Sequence, residues 1–348
     1  MLNLQLNPVT LKFRSTFRIS REAKDRNESL IVAISDGTYT GYGEAAAHRY
    51  YKKTIAGLSA SLEKCCTFLS KVSEYHPEEL WPELLRLTDG DTFALCALDN
   101  ALWDLWGRRQ GKPLFECWGL SIDQNVDSDI TIGIGSVEEM VGKLNEYSGW
   151  PIYKIKLGTD NDIAIMQALR ERTDAVLRVD ANCAWNAEIG AAHAEALAAL
   201  HVEFIEQPLK ADDWFGMKTL HRSSPLPLIA DESCVLEEDV ERCAEVFDGI
   251  NIKLMKCGGL TPARRMIARA RELNLSVMVG CMSESTVGMS AIAQVLPLLD
   301  AVDMDGAVLI SNDPADGVRI DRGTCRYPAR NGLGVTLKKP VFCATLDG

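Results

Sequence analysis

The chain has 348 residues, 47% of them hydrophobic, which is enough to bury a large core and allows two domains or one barrel with an appendage. A formal charge of −12 and a pI near 5.0 argue against nucleic acid or an anionic membrane as partner. No stretch reaches the roughly 18 uninterrupted apolar residues of a membrane span, and the N-terminus, MLNLQLNPVTLKF, alternates like a strand and has no signal-peptide core. Eleven cysteines, scattered through apolar runs without metal-ligand spacing, read as reduced core residues of a cytoplasmic protein.

In chain order, 2–14, 29–35 and 38–46 are expected to form an antiparallel meander, with SDG (35–37) as its second turn. TFRISREAKDRNES, between the first two strands, is expected to be a long polar loop, and AAAHRYYKK a second loop after the third strand. From about 53 to 110 the pattern is helical, closing at Gly111 and Pro113. Strand and helix then alternate. The expected strands are DITIGIG (129–135), YKIKL (153–157), LRVDAN, FIEQP, LIADE, GINIKLMK (249–256), SVMVGCM (276–282) and AVDMD (301–305). Eight parallel strands would close a barrel with its chemistry at their C-terminal ends. The fold class is therefore α/β, a (β/α)7β TIM-type barrel with an N-terminal α+β capping domain. The cap is expected at 1–115, joined by the returning segment at about 320–348, and the barrel at 116–320.

Three acids dominate the barrel. Asp180, Glu206 and Asp231 each end an apolar strand, at intervals of 26 and 25 residues, the length of one β/α unit. Three carboxylates on one rim repel one another unless a cation neutralises them. Oxygen ligands on strand ends suit a hard divalent ion, Mg²⁺ first and Mn²⁺ as substitute. Lys154 and Lys156 on strand two face Lys253 and Lys256 on strand six across the mouth. A substrate carboxylate on the metal would have a lysine on each face of its α-carbon, and its far end would point towards Asp303 and Asp305. Such a site suits proton removal α to a carboxylate and return of a proton to the other face. Lys154 beside Lys156 is expected to lower the pKa of the base.

KIKLG, VDAN, IEQP, ADES, NIKLMKCGG and DMD, in this order, resemble the enolase superfamily and its muconate-lactonising-enzyme subgroup. GYGEA and ALWDLWGRRQGKPLFE extend the resemblance over nearly the whole chain. It implies Asp180, Glu206 and Asp231 as ligands of one Mg²⁺, Lys156 and Lys253 as the acid/base pair, and Lys154 as the pKa-lowering neighbour. Lys256 matches a lysine that is not catalytic in this group. Asp303-Met304-Asp305 matches the DxD of dipeptide epimerases, whose two acids hold the substrate ammonium; a period of two points both side chains to one face. Thr131, Cys281 and Ser283 match positions that line the substrate. The cap loops carry Arg18, Arg21, Lys24, Arg26, Arg49, Lys52 and Lys53. This basic cluster suggests that an anionic side chain is captured, with Arg21 or Lys24 as its reader.

The expected activity is inversion of the C-terminal residue of a small dipeptide, L-Ala-L-Glu to L-Ala-D-Glu, in peptidoglycan peptide metabolism. The alternatives are an N-acylamino acid racemase, an o-succinylbenzoate synthase or, from a different class, a non-catalytic binding barrel. Self-association into a homo-oligomer is left open.

Overall fold

Of the polar stretch expected as a loop, 16–19 and 22–29 are strand. In the computed structural model, which describes residues 1–19 and 22–339, β1 (Asn3–Ile19) and β2 (Glu22–Ser35) pair antiparallel along almost their whole length. The register runs from Asn3–Ser35 to Lys12–Arg26, shifts, and resumes from Phe17–Lys24 to Ile19–Glu22. The outer half of this ribbon reaches away from the cap core, so it lacks the apolar alternation that betrays a half-buried strand. Cross-strand polar pairs support it instead, such as Thr16 Oγ1 donating to Asp25 at 2.5 Å.

β3 (Thr40–Ala46) completes the sheet after a turn in which Asp36 accepts from the amides of Thr38 and Tyr39. The glycines of GYGEA set how closely this sheet packs. A Cβ at Gly41 or Gly43 would fall on the carbonyl oxygens of Ala101 and Ala97, so only glycine lets the sheet press against the long buried helix. The helical region consists of α1 (Ile55–Glu63), α2 (Cys66–Leu69), α3 (Pro77–Leu87), α4 (Thr92–Gln110) and α5 (Leu114–Cys117). Gly111, at φ +68°, closes α4 as a left-handed cap.

The barrel strands are β4 (Ile130–Ile132), β5 (Ile152–Lys156), β6 (Val176–Asp180), β7 (Val202–Glu206), β8 (Leu228–Ala230), β9 (Gly249–Ile252), β10 (Ser276–Gly280) and β11 (Ala301–Asp303). Each is parallel to its neighbour in sequence order, and a bridge from Ser128 to Val302 brings the first and last together. β5 and β9 therefore stand on opposite sides of the mouth. Phe204, Ile229, Met278 and Ala301, each on a barrel strand, form a buried apolar cluster of their own.

Cap and barrel share buried polar contacts. Glu44 of β3 accepts from the Ser285 amide and hydroxyl and from the Gly288 amide. Trp103 of α4 donates to Thr261 at 2.8 Å. Near the end of the described chain, Gly332 exchanges backbone hydrogen bonds with Lys112 and Leu114, and Arg108 reaches the Val335 carbonyl. The last residues of the segment expected to return to the cap lie outside the described residues. No described helix is long and apolar enough to cross a membrane, and the ten described cysteines carry free thiols.

Candidate active site

Asp180 and Glu206 are the last residues of β6 and β7, and Asp231 follows β8 directly. The pleat turns all three inwards, where they are almost fully buried, and each offers an oxygen within 4.8 Å of the others. Neighbouring side chains orient them. Lys156 Nζ donates to Asp180 at 2.5 Å and Lys253 Nζ to Asp231 at 2.7 Å. Asn251 donates to Glu206 Oε1 at 2.8 Å. Gln207, held at φ +35°, accepts from the amides of Asp231 and Ser233 and fixes the turn after β8.

The charges do not fully balance. Lys154 Nζ lies 2.7 Å from Glu206 Oε2, yet that buried oxygen accepts no hydrogen bond. The contact is an ion pair without hydrogen-bond geometry, and the oxygen faces the other acids. Burial and the Asp180 charge push Glu206 up to about 7, against the pull of Lys154. Burial also acts to raise Asp180, but Lys156 and Lys154 bring it down to about 2. An all-oxygen trio with a buried, unsatisfied carboxylate oxygen fits a hard divalent cation.

The lysines separate by role. Burial pulls Lys154 down, but Asp303, Glu206, Asp180 and Asp129 outweigh it and hold its ammonium well above the ordinary range. The same contest, with Asp231 and Glu206 as the main partners, raises Lys253. Lys154 thus serves here as a buried counter-ion, 2.9 Å from Asp303 and 3.4 Å from Asp180. Lys256 lies beyond the strand expected to carry it, because β9 stops at Ile252 and Lys253 opens a short helix over Leu254–Cys257. Its ammonium is fully buried, pairs with Asp231 Oδ1 at 2.7 Å and donates to the Cys234 carbonyl at 2.7 Å.

Asp303 and Asp305 converge, though not by strand periodicity. β11 ends at Asp303, and Asp305 has helical dihedrals at the head of a short helix over Gly306–Leu309. Specific donors bring them together: Lys154 holds Asp303 Oδ2, and the Thr131 amide donates to Asp305 Oδ2 at 2.6 Å. Asp303 Oδ1 is buried and accepts no hydrogen bond. Burial and the Asp303 charge push Asp305 up to about 7.

Lys156, Lys253, Asp231, Asp303, Asp305, Thr131, Cys281 and Ser283 all line one cavity beneath the cap. Cys281 and Ser283 stand in the loop after β10. Of the basic cap-loop residues described, Lys24 alone lines this cavity, paired with Glu22 at 2.9 Å, while Lys53 faces Asp91. Arg21 lies outside the described residues. Sequence patterns do not single out Phe13, Phe17 and Ile19, which bring an apolar wall from the ribbon. Nor do they single out Asn251, two residues before Lys253.

Two family models match the chain: "Mandelate racemase / muconate lactonizing enzyme, N-terminal domain" over residues 2–119 and "Enolase C-terminal domain-like" over 136–341. An L-Ala-D/L-amino acid epimerase of Maribacter sp. is 50% identical, with 97% of this chain and 100% of the relative covered. A substrate-liganded complex of the L-Ala-D/L-Glu epimerase from Bacillus subtilis superposes with a TM-score of 0.91 at 27% identity, covering 96% of this chain and 98% of that one. A dipeptide epimerase from Enterococcus faecalis V583, complexed with Mg and L-Leu-L-Tyr, gives a TM-score of 0.88 at 30% identity, covering 96% and 99%. This chain belongs to the mandelate racemase / muconate lactonizing enzyme family of the enolase superfamily, in its dipeptide epimerase group, and is an isomerase.

Proposed function

We propose that the chain is a Mg²⁺-dependent epimerase that inverts the α-carbon of the second residue of a dipeptide, with L-Ala-L-Glu and L-Ala-D-Glu as the interconverting pair. The observation that carries the reading is one cavity lined by Lys156 and Lys253, from opposite sides of the mouth, with Asp231, Asp303 and Asp305, where Asp231 converges with Asp180 and Glu206. Asp180, Glu206 and Asp231 would hold the metal, Mg²⁺ or in its place Mn²⁺. When bound, it supplies positive charge where the substrate carboxylate gains negative charge. Lys156 and Lys253 stand on opposite faces of the α-carbon; one takes the proton and the other delivers one, so each serves one enantiomer. Lys253 sheds the pull that keeps it protonated once Asp231 and Glu206 are otherwise engaged. Asp303 and Asp305 bracket the free ammonium, for which the unpaired Asp303 Oδ1 is the acceptor in waiting. Thr131, Cys281 and Ser283 line the rest. Lys24 reads the glutamyl carboxylate by exchanging Glu22 for it, an exchange of low cost because a partly exposed ion pair is worth only about 0–1 kcal/mol.

A second reading, a broader range at the second residue that includes apolar side chains, is favoured by the Phe13, Phe17 and Ile19 wall. One experiment addresses both. Asp303→Asn, assayed on L-Ala-L-Glu and L-Ala-L-Leu beside an N-acylated amino acid, is expected to lose at least about a hundredfold in kcat/KM on both dipeptides. An unchanged rate would favour an acylamino acid racemase or o-succinylbenzoate synthase. In the native chain, L-Ala-L-Leu turnover equal to that of L-Ala-L-Glu would select the broader reading.

A further inference from the structure

The two lysines of the cavity are held by different parts of the molecule. Lys156 is the last residue of β5, in register with Asp180 of β6. The amides that follow it, at Leu157 and Gly158, donate to the Asp180 carbonyl at 2.9 Å and to the Asp162 carboxylate at 3.0 Å, both in the barrel. Lys253 follows β9 and opens the single helical turn over Leu254–Cys257. Its carbonyl accepts from the amides of Lys256 and Cys257, and the Leu254 carbonyl accepts from those of Gly258 and Gly259. A longer helix over Leu260–Glu272 begins at once.

The cap grips this segment along its length. The Ala46 amide, at the end of β3, donates to Met255 Sδ at 3.3 Å, and Trp81 Nε1 of α3 donates to the Gly258 carbonyl at 3.0 Å. The first amides of a helix have no partner within it, and here α4 supplies one to each. Asn100 Oδ1 accepts from Leu260 at 3.1 Å and Asp99 Oδ2 from Thr261 at 2.9 Å, while Asp99 Oδ1 takes the Thr261 hydroxyl at 2.6 Å. The backbone is shaped for this approach: Gly259 sits at φ +114°, and a Cβ there would lie 2.4 Å from Asp99 Oδ2. Asp99, Asn100 and Thr261 are almost fully buried, so a lost acceptor leaves its donor unpaired.

We propose that Asp99 is a positioning residue for Lys253, so that the cap fixes one of the two lysines while the barrel fixes the other. The inference rests on the two-lysine reading above. Lys253 and Gly259 are the ends of one hydrogen-bonded turn, so a shift of the capped helix start passes to the lysine. A displacement of about 1 Å at a reacting group can cost about a hundredfold in rate. Loosening the cap's grip therefore impairs proton transfer on one face of the α-carbon and spares the other.

Two variants test this. Asp99→Asn keeps the volume and leaves one of the two Thr261 donors without an acceptor; Trp81→Phe removes only the bond to Gly258. The equilibrium between the epimers ties the two directions of inversion together, so the readout is α-hydrogen exchange in D₂O, measured on each recovered epimer and calibrated against Lys156→Ala and Lys253→Ala. In Asp99→Asn the epimer whose exchange Lys253→Ala abolishes is expected to exchange at least about tenfold more slowly, and the other to stay within about twofold of native. Trp81→Phe is expected to slow the same epimer by about threefold. If Asp99→Asn does not fold, Trp81→Phe decides by the same asymmetry. Equal slowing of both epimers, or of neither, while the lysine variants separate them, would overturn this proposal alone. Lysine variants that fail to separate the epimers would remove the two-lysine reading and this inference with it.

Discussion

Lys156→Ala and Lys253→Ala are each expected to lower dipeptide epimerisation by about 10²–10⁴-fold, the usual loss when a positioned acid–base group is removed. The stronger expectation concerns symmetry. Lys156 ends β5 and Lys253 follows β9 directly, on opposite sides of the mouth, so under the proposed mechanism each variant would keep a base on one face only. In D₂O one variant should still exchange the α-hydrogen of the L,L-dipeptide and the other that of the L,D-dipeptide, each without producing the opposite epimer. Mass spectrometry of the recovered dipeptides checks this. A single variant that exchanged both epimers at equal rates would contradict the two-base mechanism.

Lys256→Met is expected to damage the fold and not only the chemistry. The Lys256 ammonium is fully buried and bonded to Asp231 Oδ1 and to the carbonyls of Asp231, Cys234 and Asn251. Methionine fills similar volume but cannot donate, so Asp231 Oδ1 and the Cys234 carbonyl lose this partner, while the Asp231 carbonyl keeps the Cys234 amide. Breaking one side of a buried pair costs about 3–5 kcal/mol. The pH dependence has a definite sign. Burial would raise Asp231, but Lys253 and Lys256 hold it well below the ordinary carboxylate range. Its pairing therefore contributes stability above the unfolded-state pKa, about 3.9, and loses that contribution as the pH falls towards the folded-state value. Lys256→Met should shrink this acid-sensitive part. Denaturant unfolding of metal-free protein at neutral and acidic pH measures both effects. Lys253→Met should cost less, since its ion pair lies at the cavity wall. Native-like stability of Lys256→Met would show that Asp231 is held by other means.

What can be read from the chain reflects what a parallel barrel demands. Its strands are buried on both faces, so they appear as short apolar runs, and an acid ending several of them at one interval points to a shared rim. LRVD, FIE and LIAD carry that pattern, and the two-residue spacing in KIK places both lysines on one face of β5. Features that depend on tertiary partners are hidden. Residues 16–19 and 22–29 belong to strands that are largely exposed, and polarity there reads as loop. Asp305 meets Asp303 through the Thr131 amide, a contact across 174 positions that no local period encodes. Adjacency in sequence suggests that Lys154 lowers a neighbour's pKa by its charge; that it also lies against Glu206, Asp180 and Asp303 is a matter of tertiary partners that adjacency does not reveal. The contact between the Ile134 amide and the Arg18 carbonyl, which ties the ribbon to the barrel, is likewise absent from any local pattern.

On the proposed function this cavity loosens one particular hydrogen, that on the glutamyl α-carbon. The direct measurement is incubation of chelator-treated protein with L-Ala-L-Glu in D₂O, with and without added Mg²⁺, followed by mass and stereochemical analysis of the glutamyl residue. The expected result is one deuterium at the glutamyl α-carbon and appearance of L-Ala-D-Glu with Mg²⁺, and neither without it. Absence of exchange from L-Ala-L-Glu and from every other dipeptide tried, with Mg²⁺ present, would contradict it.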